Sequence, residues 1–583
     1  MQKIDRNLIR DYFDLEAAVA REKWEALMSL SIKDRIRKRR AIEGVYLDKD
    51  YEEESENGYL LRKLSFRINL SDFKEGEPLL LHKSDSLEGI ECTLIRFEGD
   101  NSIIVEVFPP NMPTNIATYC DIPLLLDKKN VDLRSNVYNN FLDDAPSEDP
   151  FWDNLVINTR VSPVYENEVA NEEELADTVK NFALSLLPRQ KEAIFRCMSS
   201  TNYFLIQGPP GTGKSFVLGL VILEELLYFR HKVAIIGPNH MAVNNALETV
   251  LRLVPTFGRM FKVGQSYNAP TGNAVFEGQV FEIRNIQYLN VNGANSLEPP
   301  ILYGLTPHSL YTRRARDLEF DVLIIDEAGQ MTIPLALMGM VKVKKVILAG
   351  DHKQLPPIIP ETIEGSLSVS VFESMLKDDN CTMLDTSFRM CETICDFVSD
   401  MFYDGKLKPI KSGCSDKLIC DSPLHSFDNP LVFHDVEDTG EQTSDKEADF
   451  IINTITGFLD RGIDPQDIAV LAPFRAQAAC IRRRIGKIES IPEEKRALII
   501  SDTVDKLQGQ EREIVFYSLT AGAQDYVVEM ADFLIKPNRL NVAFSRAKSK
   551  LIIVGNFAQL RYLDIDKYPH IPLLLAYAGK YAL

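Results

Sequence analysis

Residues 202–229 read NYFLIQGPPGTGKSFVLGLVILEELLYF, and this stretch decides the fold. YFLIQ is an apolar run of strand length, SFVLGLVILEELLYF is helix-like, and between them Gly208-Pro-Pro-Gly-Thr-Gly-Lys214-Ser215 fits G-x-x-x-x-G-K-[ST]. Strand, glycine loop and helix in that order let backbone N–H groups cradle phosphate oxygens while the helix N-terminus adds its dipole. Gly208, Gly211, Thr212 and Gly213 form the expected cradle. Lys214 is expected to reach the β- and γ-phosphates and Ser215 to ligate Mg2+.

Working outward, buried-type apolar runs alternate with helical stretches: KVAIIGP, DVLIIDEA and KKVILAGD, then DIAVLAPF, EIVFYSLT and KLIIVGN. Such runs predict parallel sheets covered on both faces, hence two doubly wound α/β units meeting near Glu364 to Asp379. Residues 143–177 are acidic with turn signals and read as a surface connection. Further upstream, LLRKLSFRINL, GEPLLLHK, IECTLIRFEG and NSIIVEVFPP are short β-type runs that suggest a small closed barrel. The first 45 or so residues carry apolar positions at helical spacing and end in a basic run from Arg35 to Arg40. That run reads first as a solvated helix end, with a nucleic-acid contact or a targeting signal as alternatives.

Composition bounds the rest. With 583 residues, 45% hydrophobic and 26% charged, the chain is a multi-unit globular protein and not a disordered or collagen-like one. No apolar run is long enough to cross a bilayer, and the polar start lacks the apolar stretch of a signal peptide, so a soluble, cytoplasmic protein is expected, with a nuclear one open in a eukaryote. Nine cysteines without a C-x-x-C pair indicate neither a disulfide framework nor a zinc module; Cys391 and Cys395, at i, i+4, read as buried free thiols. A net charge of −20 means that a polyanion has to meet a local basic track.

Two further motifs complete a hydrolytic site. Asp326-Glu327 closes the apolar strand VLII, where Asp326 can hold the metal through water and Glu327 can take a proton from an attacking water. After the next strand, GDHKQLPP offers Gln354; alone it reads as a surface loop residue, but in this order it looks like a γ-phosphate sensor.

The glycine loop, DEAGQ (326–330), GDHKQLPP (350–357), SFRM (387–390), VDKLQGQE (504–511) and NVAFSRAK (541–548) resemble, in order, the motif series of superfamily 1 helicases. Their spellings are similar to the up-frameshift-protein branch, with the immunoglobulin mu-binding protein and the replication helicase-nucleases. The resemblance implies an α/β chain of two tandem RecA-like P-loop domains with an N-terminal helical stalk and a small β-barrel. In that division 1–45 is the stalk, 46–130 the barrel, 131–370 the first RecA-like domain and 371–583 the second. It further implies that Gln190 reads the adenine edge, that Phe388 stacks on the base in place of the usual tyrosine, and that Glu511 contacts the ribose. Arg389 and Arg546 match the two arginines that reach the γ-phosphate from the second domain.

For nucleic acid, the resemblance implies Pro238 and Asn239, Pro473 and Arg475, backbone contacts at Thr503 and Val504, and more weakly Thr306. Arg482 to Arg484 read instead as a solvated helix face. The implied activity is an ATP- and Mg2+-dependent helicase or translocase, monomeric, moving 5' to 3' on single-stranded RNA or DNA, with room for an activating protein partner. Two alternatives remain: an ATPase that clamps or strips proteins from nucleic acid, and a nucleic-acid-binding scaffold with a switch-like ATPase.

Overall fold

The computed structural model describes residues 4–49, 51, 53–54, 60–67, 69, 71, 73, 77–83, 88–98, 101–107, 119–129, 137–146, 163–165, 173, 175–183, 185–263, 274–276, 279–281, 284–286, 297–312, 315–359, 367–411, 420–504 and 510–583. Most of the expected acidic connection and residues 505–509 of VDKLQGQE lie outside this set.

A helix runs over Arg6–Met28, started by the Asp5 carboxylate, which accepts from Leu8 N at 2.9 Å. Its first turns bury Ile9, Tyr12 and Phe13; Phe13 stacks on Tyr138 with ring centroids 3.9 Å apart. Farther along, Trp24 Nε1 donates to Lys128 O at 3.1 Å, so one helix touches both the large sheet core and the strand Leu124–Lys128.

The helical reading of the first 45 residues needs correction at its end. A second helix, Ile32–Arg37, stops before Arg39 (φ 61°), and Ala41–Leu47 is a strand. Val45 and Leu47 turn inward while Glu43 and Tyr46 stay outside, and Gly44 takes φ 65° at a register shift against Leu124–Lys128. The basic run is not simply a solvated helix end either. Arg35 is 4% exposed and lies 3.3 Å from Asp127, a fully buried carboxylate that also accepts from His82 Nε2 at 2.9 Å.

The expected small barrel is present. Its antiparallel order is Ala41–Leu47, Leu124–Lys128, Pro78–His82, Gly89–Phe97, Ser102–Val107 and Leu60–Ser65; the last closes on the first through Tyr46↔Ser65 and Leu47↔Leu64. Closure leaves Val45, Leu64, Leu79, Leu94, Ile103 and Leu126 inside.

Residues beyond the barrel form α/β layers. The larger sheet runs Arg284–Ile286, Met260–Val263, Ile301–Leu305, Lys232–Ile236, Val322–Ile325, Lys345–Gly350, Tyr203–Gln207 and Cys381–Met383, every pairing parallel. Its last strand comes from beyond the expected boundary at 370. Separate apolar clusters cover its two faces, as a parallel sheet requires. The smaller sheet is also parallel: Leu431–Asp435, Ala547–Gly555, Arg512–Ser518, Ile468–Ala472 and Ile500–Thr503. It too lies between two apolar clusters.

The cysteine pair divides. Cys395 is a buried free thiol whose pKa burial pushes up to about 12. Cys391, expected to be free, is disulfide-bonded; it sits at the extended N-cap of the helix Glu392–Phe402 rather than inside it, so helical spacing was the wrong guide to its thiol.

Candidate active site between the two sheets

Strand register aligns the first set of site residues. Gln207 pairs with Gly350, Leu348 with Ile325, and Ile325 with Ile236, so the loops after these strands share one carboxyl edge. Ligands of open parallel sheets sit at that edge. Tyr203–Gln207 gives onto the glycine loop, and the helix Lys214–Leu227 follows directly with Gly213 (φ 80°) as N-cap. Gly211 (φ 73°) and Gly208 are required for space as well: a Cβ at 208 would meet the Lys214 side chain at 2.5 Å.

Lys214 Nζ donates to Asp326 Oδ1 at 2.6 Å and to Glu327 Oε1 at 2.8 Å. Burial pulls the Lys214 ammonium down, but the two carboxylates outweigh it and hold its pKa above the ordinary lysine value. Burial pushes Asp326 up; it pushes Glu327 up as well, but Lys214, Gln330 and Arg546 together outweigh it and hold that carboxyl below its usual range. Glu327 has φ 53°, a left-handed backbone uncommon for a residue with a side chain, and Gln330 Nε2 donates to its Oε2 at 2.9 Å. Gln354 is held by Asp351, whose Oδ2 accepts from its Nε2 at 2.9 Å. Gln190, 5% exposed, donates to Thr212 O at 3.1 Å and accepts from Leu187 N at 3.0 Å, which seats it against the glycine loop.

The second sheet contributes from the opposite end of its strands. Glu511 and Arg546 stand just before Arg512–Ser518 and Ala547–Gly555, strands paired through Arg512↔Ala547. Arg389 Nε donates to Glu511 Oε2 at 2.5 Å, and Lys548 Nζ lies 2.9 Å from Glu511 Oε1. Burial pushes Glu511 up, but Arg389 and Lys548 together bring it below the usual carboxylate range. Arg546, 3% exposed, reaches Gln354 Oε1 at 3.5 Å; burial and then Arg389 pull its guanidinium down to about 9, still charged at neutral pH. Phe388 N donates to Gly211 O at 2.8 Å and Ser387 Oγ to Pro210 O at 3.0 Å, so the strand Thr386–Cys391 is bonded directly to the glycine loop.

These groups line one cavity of about 870 Å³, which takes in Gln190, the loop from Gly208 to Ser215, Asp326, Glu327, Gln354, Phe388, Arg389, Glu511 and Arg546. Phe388 is 39% exposed, a phenyl face open to a stacking partner. The cradle of positive-φ glycines fits a polyphosphate, and the oxygen donors Ser215 and Asp326 suit a hard divalent cation. Ser185, Met241 and Asn245 also line the cavity and were missed by sequence reasoning, although Met241 and Asn245 stand two and six residues after the candidate Asn239 and Ser185 five residues before Gln190.

The nucleic-acid candidates fall into two groups. Pro238, Asn239 and Thr306 follow the adjacent strands Lys232–Ile236 and Ile301–Leu305, joined through Ile236↔Leu305. Asn239 also caps its helix, accepting from Ala242 N at 3.0 Å, and lines the nucleotide cavity; the Thr306 hydroxyl is engaged with Ser309. Pro473 and Arg475 follow the strand Ile468–Ala472, while Thr503 ends the paired strand Ile500–Thr503 and Val504 follows it, at the edge of the second sheet opposite Glu511 and Arg546. Arg475 is exposed, whereas Val504 is buried in the core. Arg482 donates to Ser501 O and Arg484 pairs with Asp445 and Asp449, which leaves Arg483 the more open member of that run. Among the described residues no group of three His, Cys, Asp or Glu could hold a metal on its own, and no helix is long and apolar enough to cross a membrane.

A glycine cradle with its lysine, an acidic pair, a glutamine and two arginines from the second unit form a P-loop nucleotide site that is completed across a cleft. Two family models, each described as an AAA domain, match this chain, one over residues 186–273 and 306–361 and the other over 367–558, together more than half of its length. The chain is 28% identical to the DNA polymerase alpha-associated DNA helicase A of Schizosaccharomyces pombe, over 67% of this chain and 66% of that protein. With an ATP-dependent helicase of Methanocaldococcus jannaschii it shares 25% identity over 80% and 86% of the two chains. It is 27% identical to the mouse DNA replication ATP-dependent helicase/nuclease DNA2, over 66% of this chain but only 38% of that protein. The chain thus spans just under two thirds of the yeast relative and well under half of the mouse one. The chain belongs to the superfamily 1 helicases, in the branch that also holds the DNA2 helicase/nucleases.

Proposed function

We propose that this chain is an ATP-driven motor on single-stranded nucleic acid, moving 5' to 3', whose two α/β units are tandem RecA-like domains. The observation that carries the reading is the approach of Arg389, on the strand Thr386–Cys391, and Arg546, at the end of the second sheet, to the cavity that holds Lys214, Glu327 and Gln354. Hydrolysis then depends on how the two units sit, and a cycle of closing and reopening becomes displacement if the grips on either unit alternate.

In this reading Gln190 and Phe388 hold the adenine, Glu511 the ribose, and the loop from Gly208 to Ser215 the phosphates. Ser215 and Asp326 hold Mg2+, which neutralises phosphate charge when bound. Glu327 takes a proton from water as its oxygen attacks the γ-phosphorus and the bond to the β-phosphate oxygen breaks, releasing ADP and phosphate. Arg389, Arg546 and Lys214 stabilise the charge on the transferring group, and Gln354 orients the water.

A four-part division is part of the proposal, its first boundary falling before Ala41–Leu47 and its last after Cys381–Met383, with the Arg6–Met28 helix as a stalk bracing the barrel against the first domain. So are a cytoplasmic, monomeric motor and its acceptance of an activating protein. The strand is gripped through Pro238, Asn239 and Thr306 on one unit and Pro473, Arg475, Thr503 and Val504 on the other, by small polar groups and main-chain atoms that do not read bases.

The experiment is strand separation on duplexes carrying a 5' or a 3' single-stranded tail, made of RNA or of DNA, with ATP and Mg2+. ATP-dependent opening of 5'-tailed substrates is expected. Opening of 3'-tailed substrates alone overturns the direction, and ATP-dependent protein displacement without opening selects the stripping alternative.

A further inference from the structure

Asp351 ends the strand Lys345–Gly350 and is 4% exposed, a buried carboxylate with four hydrogen-bond donors around it. Its Oδ1 accepts from Gln207 Nε2 at 3.2 Å and Lys353 N at 3.1 Å, and its Oδ2 from Gln354 Nε2 at 2.9 Å. The fourth donor comes from the other unit: Tyr403, just after the helix Glu392–Phe402, donates its hydroxyl to Asp351 Oδ2 at 2.6 Å. Tyr403 is 2% exposed.

The hydroxyl is itself an acceptor. Asn541 Nδ2 donates to it at 2.7 Å and also to Lys353 O at 2.8 Å. Asn541 lies on the helix Pro537–Phe544, whose end leads straight to Arg546. Asn538, one turn earlier, donates to His352 O at 2.8 Å and to Gln354 O at 2.6 Å. One face of this helix therefore grips the backbone of the Gln354 loop, while Tyr403 and Asp351 grip the Gln354 side chain. With its Nε2 committed to Asp351, Gln354 presents Oε1 to Arg546. Tyr403 is the point where the two sets of bonds meet, and its hydroxyl sits in a buried, charge-assisted hydrogen bond.

We propose that Tyr403 is a positioning residue that locks Gln354 and Arg546 into register through Asp351 and Asn541, so that closure of the cleft and alignment of the hydrolytic groups become one event. The proposal rests on the ATPase reading above for its kinetic consequence, but not for its structural one. Tyr403 touches neither nucleotide nor metal in this role. A hydroxyl that works by alignment affects turnover more than nucleotide binding, because misplacement of a reacting group is felt mainly in the transition state.

The test is Tyr403→Phe in the full chain, with Tyr517→Phe as control. Tyr517 is another fully buried tyrosine of the second unit, with no hydrogen-bond partner for its hydroxyl among the described residues. Amide hydrogen exchange is followed over residues 351–357 and 537–546, together with thermal melting and the kcat and KM for ATP. Tyr403→Phe should speed exchange in both segments and leave it elsewhere as in wild type. It should lower kcat about tenfold with KM little changed. In a Gln354→Ala background the same change should cost less than about twofold, because the two residues act as one unit. Exchange unchanged from wild type in both segments overturns the proposal whatever the kinetics. So do losses that appear equally in Tyr517→Phe, or a KM effect without a kcat effect. An inactive wild-type chain would instead remove the ATPase reading, and the exchange experiment would still decide whether Tyr403 holds the two segments together.

Discussion

Lys214 Nζ lies 2.8 Å from Glu327 Oε1, so the lysine of the glycine loop and the glutamate of the acidic pair are in direct contact, with Asp326 Oδ1 2.6 Å from the same nitrogen. One ammonium bridges two neighbouring carboxylates. Lys214→Ala leaves the carboxylates facing each other without a cation and the phosphates without their lysine. ATP turnover should fall at least about 100-fold, read in a steady-state phosphate-release assay.

At Gly211 the strand Thr386–Cys391 packs directly against the glycine loop, Phe388 N donating to Gly211 O at 2.8 Å. A Cβ there would meet Arg389 Cβ at 2.5 Å and Ser387 Oγ at 2.8 Å, on a backbone with φ 73°. Gly211→Ala should therefore hold the strand Thr386–Cys391 off the glycine loop. A shift of an ångström in catalytic geometry costs about 100-fold in rate, so kcat should drop by that order. Binding of a fluorescent ATP analogue, measured in parallel, should weaken much less.

Gln190 has both ends of its amide engaged with backbone around the loop. Gln190→Ala should raise the KM for ATP about tenfold, as expected for one lost polar recognition contact. It should also narrow the preference for ATP over GTP, measured as the ratio of kcat/KM values.

Arg475 is the exposed guanidinium of the second grip. If it meets a backbone phosphate, Arg475→Gln should weaken single-strand binding without changing its sequence preference. The slope of log affinity against log salt should shrink by about 0.7 for a single phosphate contact. Fluorescence anisotropy with a labelled oligonucleotide over a salt series checks both.

Glu447 is a stability probe far from the chemistry. It is 1% exposed, its carboxyl accepts from Thr520 N at 3.0 Å and Ser518 Oγ at 2.6 Å, and burial raises its pKa from 4.5 to about 8. The folded state thus binds this proton more tightly than the unfolded one. The associated stability is full below the unfolded pKa and is lost as pH rises through about 8. Melting temperature should fall between pH 5 and 8 in wild type, and fall less in Glu447→Gln.

Much of this architecture was legible because parallel-sheet strands are buried on both faces. All seven long apolar runs, from YFLIQ to KLIIVG, are strands, and Asp326, Glu327, Gln354, Glu511 and Arg546 stand at their ends. Strands that carry weaker patterns were not legible. Ile301–Leu305 is interrupted by Gly304, needed because a Cβ would meet Leu247 at 2.7 Å; Cys381–Met383 has three residues; Ile500–Thr503 is polar at Ser501, Asp502 and Thr503. Ala41–Leu47 was hidden behind the helical pattern that precedes it.

In the site, residue types and order pointed to the participants but not to their bonds. That Arg35 is spent on Asp127, that Cys391 is in a disulfide, and that Tyr403 bonds Asp351 are facts of long-range packing with no local signature. Glu327 at φ 53° is likewise a product of its surroundings: nothing in DEAGQ announces a left-handed glutamate.

The most direct measurement of the central claim is steady-state ATP hydrolysis at low salt, without nucleic acid and then with single-stranded RNA or single-stranded DNA, on wild type and Glu327→Gln. The account predicts turnover stimulated by at least one strand type in wild type, and a variant that binds ATP yet turns it over about 1000-fold more slowly. Turnover that ignores both strands, or a Glu327→Gln protein as active as wild type, would contradict it.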